Sequence, residues 1–574
     1  MRPFIVSGMA QRAGFRRAIG AGSLFVMAFL AAACGGGSSG SSGGTPPPPA
    51  TLSSIAVAAS STSIAVGGTD QFTATGTYSD GTTKSLTSTA TWSSNATTIA
   101  TVSSSGLATG VAAGSASITA TVGSVSGQAA LTVTKPVTLV SIAITPTAPT
   151  LFNGTTLQLT ATGTYSDGTT QNLTGSVSWA STANTIATVS NTTPLGVVTA
   201  VALGTTMITA TSGSPAIASP AVTATVIAAE HAYAANFGSS NISQYNLTNG
   251  GGLTPMSPAT VLAGTGPFSI AIDPSKHYAY VANYGTDNTP NDTVSQYSIA
   301  ASGALTPLSP STVTTGLGPN GVTATASYVY VANYNAGTVS QFSIQGGGSL
   351  APLTPATVPT GAGPAMVAVT PSGAFAYVPN VTDGTVSGFA VNSTTGALTS
   401  LGAAVPAGTG ANFIAIDPSG KYAYVANLNG NSISEYAIAA NGTLSPLTPA
   451  TVTTTNPRSI AIDPKGPYVY VANGTSELNS TVGQSVSQYT IAGTGALTPM
   501  TPATVAAGIG ASSVTVDPTD QYVYVANRGS VSPYTPGSTV SQYVIGATGG
   551  LTPLGTATVA AGTAPAAVAV STAN

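Results

Sequence analysis

Two arginines are the residues of this chain best suited to specific chemistry. Arg458 and Arg528 are the only arginines beyond residue 17. A guanidinium presents a planar fork of donors that matches a carboxylate or phosphate two bonds at a time. Brought together, the two would hold an anionic or carboxylate-bearing ligand. Glu477, Asp287 and Asp292 fall in nearby connecting stretches and join them as candidate ligand-binding residues. Acid–base chemistry is poorly supplied. The chain has two histidines, His231 and His277, and neither is expected beside the arginines. Outside a Gly/Ser-rich stretch at 35–44, no Gly-x-Ser-x-Gly elbow occurs. His-Glu-x-x-His and Cys/His metal spacings are missing throughout. No catalytic residue, metal ligand or cofactor site is therefore assigned.

Composition narrows the partners. Charged residues make up 4% of the 574, and the net charge is −3. No basic stripe exists to neutralise a phosphate backbone, so nucleic acid is excluded as a partner. Low charge here does not mean disorder. Mean hydropathy is positive, and the apolar residues alternate with polar ones, which is the pattern of half-buried strands. The single cysteine, Cys34, rules out an intramolecular disulfide.

The elements that would position the arginines come from a repeat. Tyr280-Val281-Ala282-Asn283 is followed by Val294-Ser295-Gln296-Tyr297, and this phrase recurs through the second half of the chain. Its Asn falls at 236, 283, 333, 380, 427, 473 and 527, at intervals of 46 to 54 residues. Each repeat divides into four short strands, A to D. Blade 5 has strand A at Phe413–Ile416, an Asp-Pro turn, B at Tyr422–Ala426, C at Ser432–Ile438 and an outer, proline-interrupted D at Thr443–Val452. Four strands at this period make a β-propeller blade. The first repeat lacks strand A, and Pro565–Val570 is a strand A with nothing after it. The C-terminal strand should therefore complete blade 1 and close a ring of seven. The repeated Asn and the Asp of each Asp-Pro are expected to be turn residues, not ligands. The B–C and D–A loops share one face. Long B–C loops are expected at 284–293, 474–485 and 528–538. Arg458 and Arg528 map to that face, over the channel mouth. His277 maps to the opposite face.

The Ile-Ala-Ile-Asp-Pro and Tyr-Ala-Tyr-Val-Ala-Asn segments resemble those of YVTN and lactonase-like seven-bladed propellers across 229–574. The resemblance implies a fold and raises lactone hydrolysis as one activity. It assigns no catalytic residue.

An upstream repeat has a different period. Ala74-Thr75-Gly76-Thr77-Tyr78-Ser79-Asp80-Gly81-Thr82-Thr83 recurs unchanged at 161–170, and Trp92 recurs as Trp179. Asp-Gly is expected to form two-residue hairpin turns with positive φ at both positions. Each tryptophan is expected in a sandwich core. These segments, with Thr98-Ile99-Ala100-Thr101-Val102, resemble group 2 bacterial Ig-like domains at 51–135 and 138–228. Such domains serve as spacers or adhesive modules on bacterial surfaces.

Residues 1–33 carry four arginines and then an apolar run, Ser23–Ala33, too short to span a bilayer as a helix. Leu30-Ala31-Ala32-Ala33-Cys34 resembles a bacterial lipoprotein signal, which implies lipidation of Cys34. Gly35 after the cysteine implies the outer membrane rather than the inner. Residues 34–50, rich in Gly, Ser and Pro, read as a tether. The whole is expected to be all-β: two Ig-like β-sandwiches followed by a seven-bladed propeller. The function expected is a lipid-anchored surface platform that binds a glycan, an anionic small molecule or a surface protein. A lactonase-like hydrolase in the envelope is the alternative.

Overall fold

Alternation of buried and exposed residues produces strands and no helix among the described residues. The structure is a computed structural model describing residues 48–285, 291–475, 483–531 and 534–573. Cys34, the preceding leader, Asp287 and Glu477 lie outside that range. The chain divides after Pro136 into two compact units.

The first unit is a sandwich. In Thr69–Tyr78 every second residue is buried through Gly76, as a strand with one face on a core requires. Phe72, Trp92, Ile118 and Leu131 fill the space between its two sheets. The second sandwich, at the start of the second unit, repeats this around Trp179, Leu151 and Ile208. Each buried indole keeps its N–H satisfied: Trp92 Nε1 donates to the Thr87 carbonyl at 2.9 Å and Trp179 Nε1 to that of Thr174 at 3.2 Å. The expected two-residue hairpins are corrected. Only Gly81 and Gly168 have positive φ, +81° and +82°. Gly81 N–H bonds the Tyr78 carbonyl, and Asp80 Oδ1 accepts from Thr82 N–H at 2.9 Å. The turn is a three-residue loop in which the Asp side chain replaces a backbone acceptor, so Asp80 needs no positive φ.

The propeller follows. Blade 5 pairs Ala411–Ile416, Tyr422–Asn427, Ser432–Ile438 and Leu444–Thr453 in that order. These are its strands A to D, and six blades keep the pattern. In blade 4 strand A shrinks to Ala368–Val369, and strand D splits into Leu398–Ser400 and Val405–Pro406. Blade 1 is completed by Pro565–Thr572 lying antiparallel to Glu230–Asn236, so the chain's last strand becomes strand A of its first blade.

Two side-chain latches join neighbouring blades. The tyrosine three residues before the Asn that ends each strand B donates to a glycine carbonyl of the next blade, as Tyr280 does to Gly348 and Tyr424 to Gly495, both at 2.7 Å. Tyr524 of blade 7 donates to Gly251 of blade 1 at 2.6 Å, so the same bond crosses the seam of the ring. The Gln of Val-Ser-Gln-Tyr forms the other latch. Gln296 Oε1 accepts from Leu350 N–H of the next blade at 2.6 Å, while its Nε2 donates to the Pro310 carbonyl in its own blade at 2.9 Å.

The second sandwich is bound to this ring. Phe152 packs among Leu247, Tyr522 and Ala232 of the propeller. Asn249 Oδ1 accepts from Phe152 N–H and Thr155 Oγ1, both at 2.7 Å, and its Nδ2 donates to the Thr156 carbonyl at 3.2 Å.

Candidate functional site

The repeated asparagines are scaffold, for a reason other than the turn geometry expected from sequence. None has positive φ. Each is buried at a strand end with its amide across to strand C. Asn283 Nδ2 donates to Thr293 Oγ1 at 3.1 Å and Ser295 Oγ at 2.9 Å, and Asn527 to Thr539 and Ser541 in the same way. The Asp-Pro carboxylates hold the opposite face. Asp417 Oδ1 accepts from Lys421 and Tyr422 N–H at 2.8 and 2.7 Å, which closes its own turn.

The Asn recurs in every blade, whereas the Asp gives way to Thr325, Thr370 and Ser571 in blades 3, 4 and 1, and two rings of more variable residues remain on the face of the B–C loops. The first is the second residue of strand A. Strand A of blade 6 is Pro457–Ile462, and its register skips Arg458 between Pro457 and Ser459. The same skip falls at Phe268 in blade 2, Asn412 in blade 5, Ser512 in blade 7 and Ala566 in blade 1. A bulge re-aims the extra residue's side chain. These residues, with Asn320 and Ala365, line a central channel of about 530 Å³. Below them the wall is apolar, with Ile270, Ile460, Val514 and Val568 among its residues. The second ring is the residue after each strand-end Asn. It is Phe237, Tyr284 and Tyr334 in blades 1 to 3, and Arg528 in blade 7.

Both arginines line this one channel. Arg458 Nε donates to the Thr475 carbonyl at 2.9 Å, and the Arg458 carbonyl accepts from Asn412 Nδ2 at 2.9 Å. Thr475 Oγ1 in turn donates to the Gly529 carbonyl of blade 7 at 3.0 Å. Arg528 lies over two rings, its guanidinium carbon 4.6 Å from the centre of Phe237 and 5.0 Å from that of Phe268. Such contacts orient a cation. The stretch 528–538, expected to be a loop, is largely strand. Tyr522–Val531 and Tyr534–Ile545 pair as far as Val531 with Tyr534, and the register skips Arg528 between Asn527 and Gly529. Arg528 therefore stands on a paired two-stranded ribbon.

The other expected residues separate. Asp292 does not line the channel; its Oδ1 accepts from Gly318 N–H at 2.8 Å and ties a loop of blade 3. His277 is exposed, with Nδ1 2.8 Å from the Ser275 carbonyl. His231 is buried, and burial lowers its pKa. Its ring packs on Gly303, where Tyr278 packs on Gly348 in the next repeat. Among the described residues the one carboxylate lining the channel, Asp517, lies at the far end of strand A, and its oxygens are held by N–H groups of its own turn. Beside it Glu230 is buried, and burial with the Asp517 charge pushes its carboxyl up to about 8. Among the described residues no group of three or more His, Cys, Asp or Glu is arranged to hold a metal ion.

Sequence reasoning passed over Phe237, Phe268, Tyr284, Tyr334 and the two Asn of the mouth. The signal was present in the two places where an otherwise regular repeat changes residue from blade to blade.

The profile of the lactonase, seven-bladed β-propeller family matches residues 183–484, just over half of the chain. The chain belongs to this family. The match begins inside the second sandwich and ends within blade 6. Residues 52–133 and 138–226 each match the group 2 bacterial Ig-like domain. Ice-binding protein 1 of Shewanella frigidimarina (strain NCIMB 400) is 47% identical over 166 residues, 28% of this chain and 18% of that protein. The chain thus spans less than a fifth of that relative's length. Among solved structures, candidate 6-phosphogluconolactonases of Bacteroides uniformis ATCC 8492 and Bacteroides fragilis NCTC 9343 superpose on 60% of the chain. Their TM-scores are 0.51 and 0.50, their identities 18% and 20%, and 100% and 98% of their own lengths are covered. At that identity they speak for the fold alone.

Proposed function

We propose that the propeller is the binding head of an envelope-anchored surface protein, and that an anionic ligand seats at the channel mouth between Arg458 and Arg528. One observation carries the reading: two guanidinium groups from adjacent blades line the same mouth, each oriented by a different device, a backbone carbonyl for one and two aromatic faces for the other. Oriented donors lose little freedom on binding, so more of each new bond is retained as affinity. Asn320 of blade 3 adds a neutral donor and acceptor across the channel, and Asn412 of blade 5 stands beside Arg458. In this reading a lipid on Cys34, a Gly/Ser/Pro-rich tether sequence and two Ig-like domains precede the head in the chain, which suits presentation at the outer membrane or cell surface. The stretch shared with a protein named for binding ice fits a role in surface binding. The test is calorimetry of the full chain with sugar acids and sugar phosphates. Arg458→Ala with Arg528→Ala should reduce affinity at least about 100-fold, two charge-assisted contacts of about 1.5 kcal/mol each. Unchanged affinity in the double variant rejects the site.

Membership of the lactonase family favours a second reading, a hydrolase acting on a sugar lactone at the same mouth. Lactone ring opening needs a general base and a stabiliser for the developing oxyanion. The arginines could serve as the stabiliser. Among the described residues no histidine lines the channel, and its one carboxylate lies at the far end. Turnover of a lactone panel that is lost in the arginine double variant would establish the hydrolase.

A further inference from the structure

Arg528 is one end of a longer feature. Phe237 and Phe268, the two rings beneath its guanidinium, have centroids 6.0 Å apart and meet edge to face. Phe268 lies 5.8 Å from Tyr284, and Tyr284 lies 6.5 Å from Tyr334. Four aromatic rings therefore run without a break from the arginine in blade 7 across blades 1, 2 and 3. All four are half-buried, so each leaves part of its ring to solvent. Three are anchored by backbone: Phe237 N–H donates to the Ala564 carbonyl, Tyr284 N–H to the Gly266 carbonyl and Tyr334 N–H to that of Gly318. Gly266 cannot be replaced cheaply, because it has φ +63° and an added Cβ would lie 2.2 Å from the Gly285 carbonyl oxygen. On the far side of the ring the residue after the strand-end Asn is aliphatic instead, Val381 and Leu428. Among the described residues, the carboxylates of this face, Asp292 and Asp383, accept from loop N–H groups of Gly318 and Ala362. The aromatic row is thus not fronted by their charge.

A row of rings is more than a single small anion needs. An aromatic face carries negative potential and attracts the weakly positive C–H groups on the apolar face of a pyranose. The spacing of the rings is comparable to the length of one sugar residue. Building on the anion seat proposed above, we propose that the mouth takes an acidic oligosaccharide. A uronate carboxylate lies on Arg458 and Arg528 with its own ring toward Phe268, and the following sugar rings lie over Tyr284 and Tyr334. An isolated uronate would use the arginine end only. Each added sugar would use another ring.

Calorimetry of the full chain with galacturonate and its α-1,4-linked dimer and trimer tests this. The trimer should bind about tenfold or more tighter than the monomer. Tyr284→Ala and Tyr334→Ala should each remove most of that gain and leave monomer affinity unchanged. Tyr284→Phe and Tyr334→Phe keep the ring and should bind like the parent, which separates loss of the ring from misfolding. Equal affinity for monomer and trimer overturns the oligosaccharide proposal and leaves the anion seat standing. Failure of both ligands to bind overturns the two together.

Discussion

Glu435 stands where five other blades carry the latch glutamine, and one atom makes the difference. Its Oε1 accepts from Leu497 N–H of the next blade at 3.2 Å, whereas the glutamines make that bond at 2.6–2.7 Å. Its Oε2 is buried without a partner where a glutamine Nε2 would donate to a strand D carbonyl fourteen residues on. Only the neutral acid can make that second bond, and burial pushes this carboxyl up to about 7. The titratable groups facing it are Tyr424 and Tyr489, whose phenols are themselves raised by burial. The folded state therefore holds a proton that the unfolded chain releases at ordinary carboxylate pH. Stability contributed by this proton is complete below the ordinary carboxylate pKa and falls as pH rises through about 7. Glu435→Gln should be nearly neutral at pH 5 and stabilising by about 3 kcal/mol at pH 8.5, measured by urea denaturation at each pH. Glu230 and Asp520 are raised as well, so the difference between variant and parent isolates Glu435. Alignment of the repeats reveals this substitution from sequence. What it does not reveal is that the position is sealed from water.

At the scale of elements, regular features were legible and irregular ones were not. Strands B and C announce themselves by alternation, and the seven-fold phrase gives their order. The ribbon that carries Arg528 was not visible, because Gly529, Pro536 and Gly537 read as loop residues. Cross-strand pairing of Ser530 with Thr535 overrides that local preference. The Asp-Gly hairpins of the sandwiches form, but their two-residue turn geometry was misjudged, through a side-chain acceptor that dipeptide rules ignore. The contact between the second sandwich and the propeller was also hidden, since Asn249 reads as a turn residue. Asn249→Ala removes three hydrogen bonds and leaves the Phe152 N–H without its acceptor. A loss of about 1–3 kcal/mol is expected. Faster cleavage between residues 227 and 230 by a protease should accompany it, and an unchanged cleavage rate would show that this contact does not hold the two together.

For the whole molecule, the half-repeats at 230 and 565 specified how the ring closes, and the closing strand pairs along its length with Glu230–Asn236. Removing residues 565–574 should leave an open edge on blade 1 and an exposed channel wall. Aggregation or loss of cooperative melting is the expected outcome, and a soluble monomer with the parent melting temperature would refute the role of that strand. Closure leaves function to the places where the repeat varies. The arginines stood out in the sequence because they are rare. The aromatic row did not, because tyrosine and phenylalanine are abundant in every blade and only the bulge and the strand end reveal which ones form the row. The most direct measurement is a crystal structure of the full chain with galacturonate. The expected result is a carboxylate between Arg458 and Arg528 with its sugar ring toward Phe268. A ligand seated on the outer rim of the blades or on an Ig-like domain, or no ligand at saturating concentration, would contradict it.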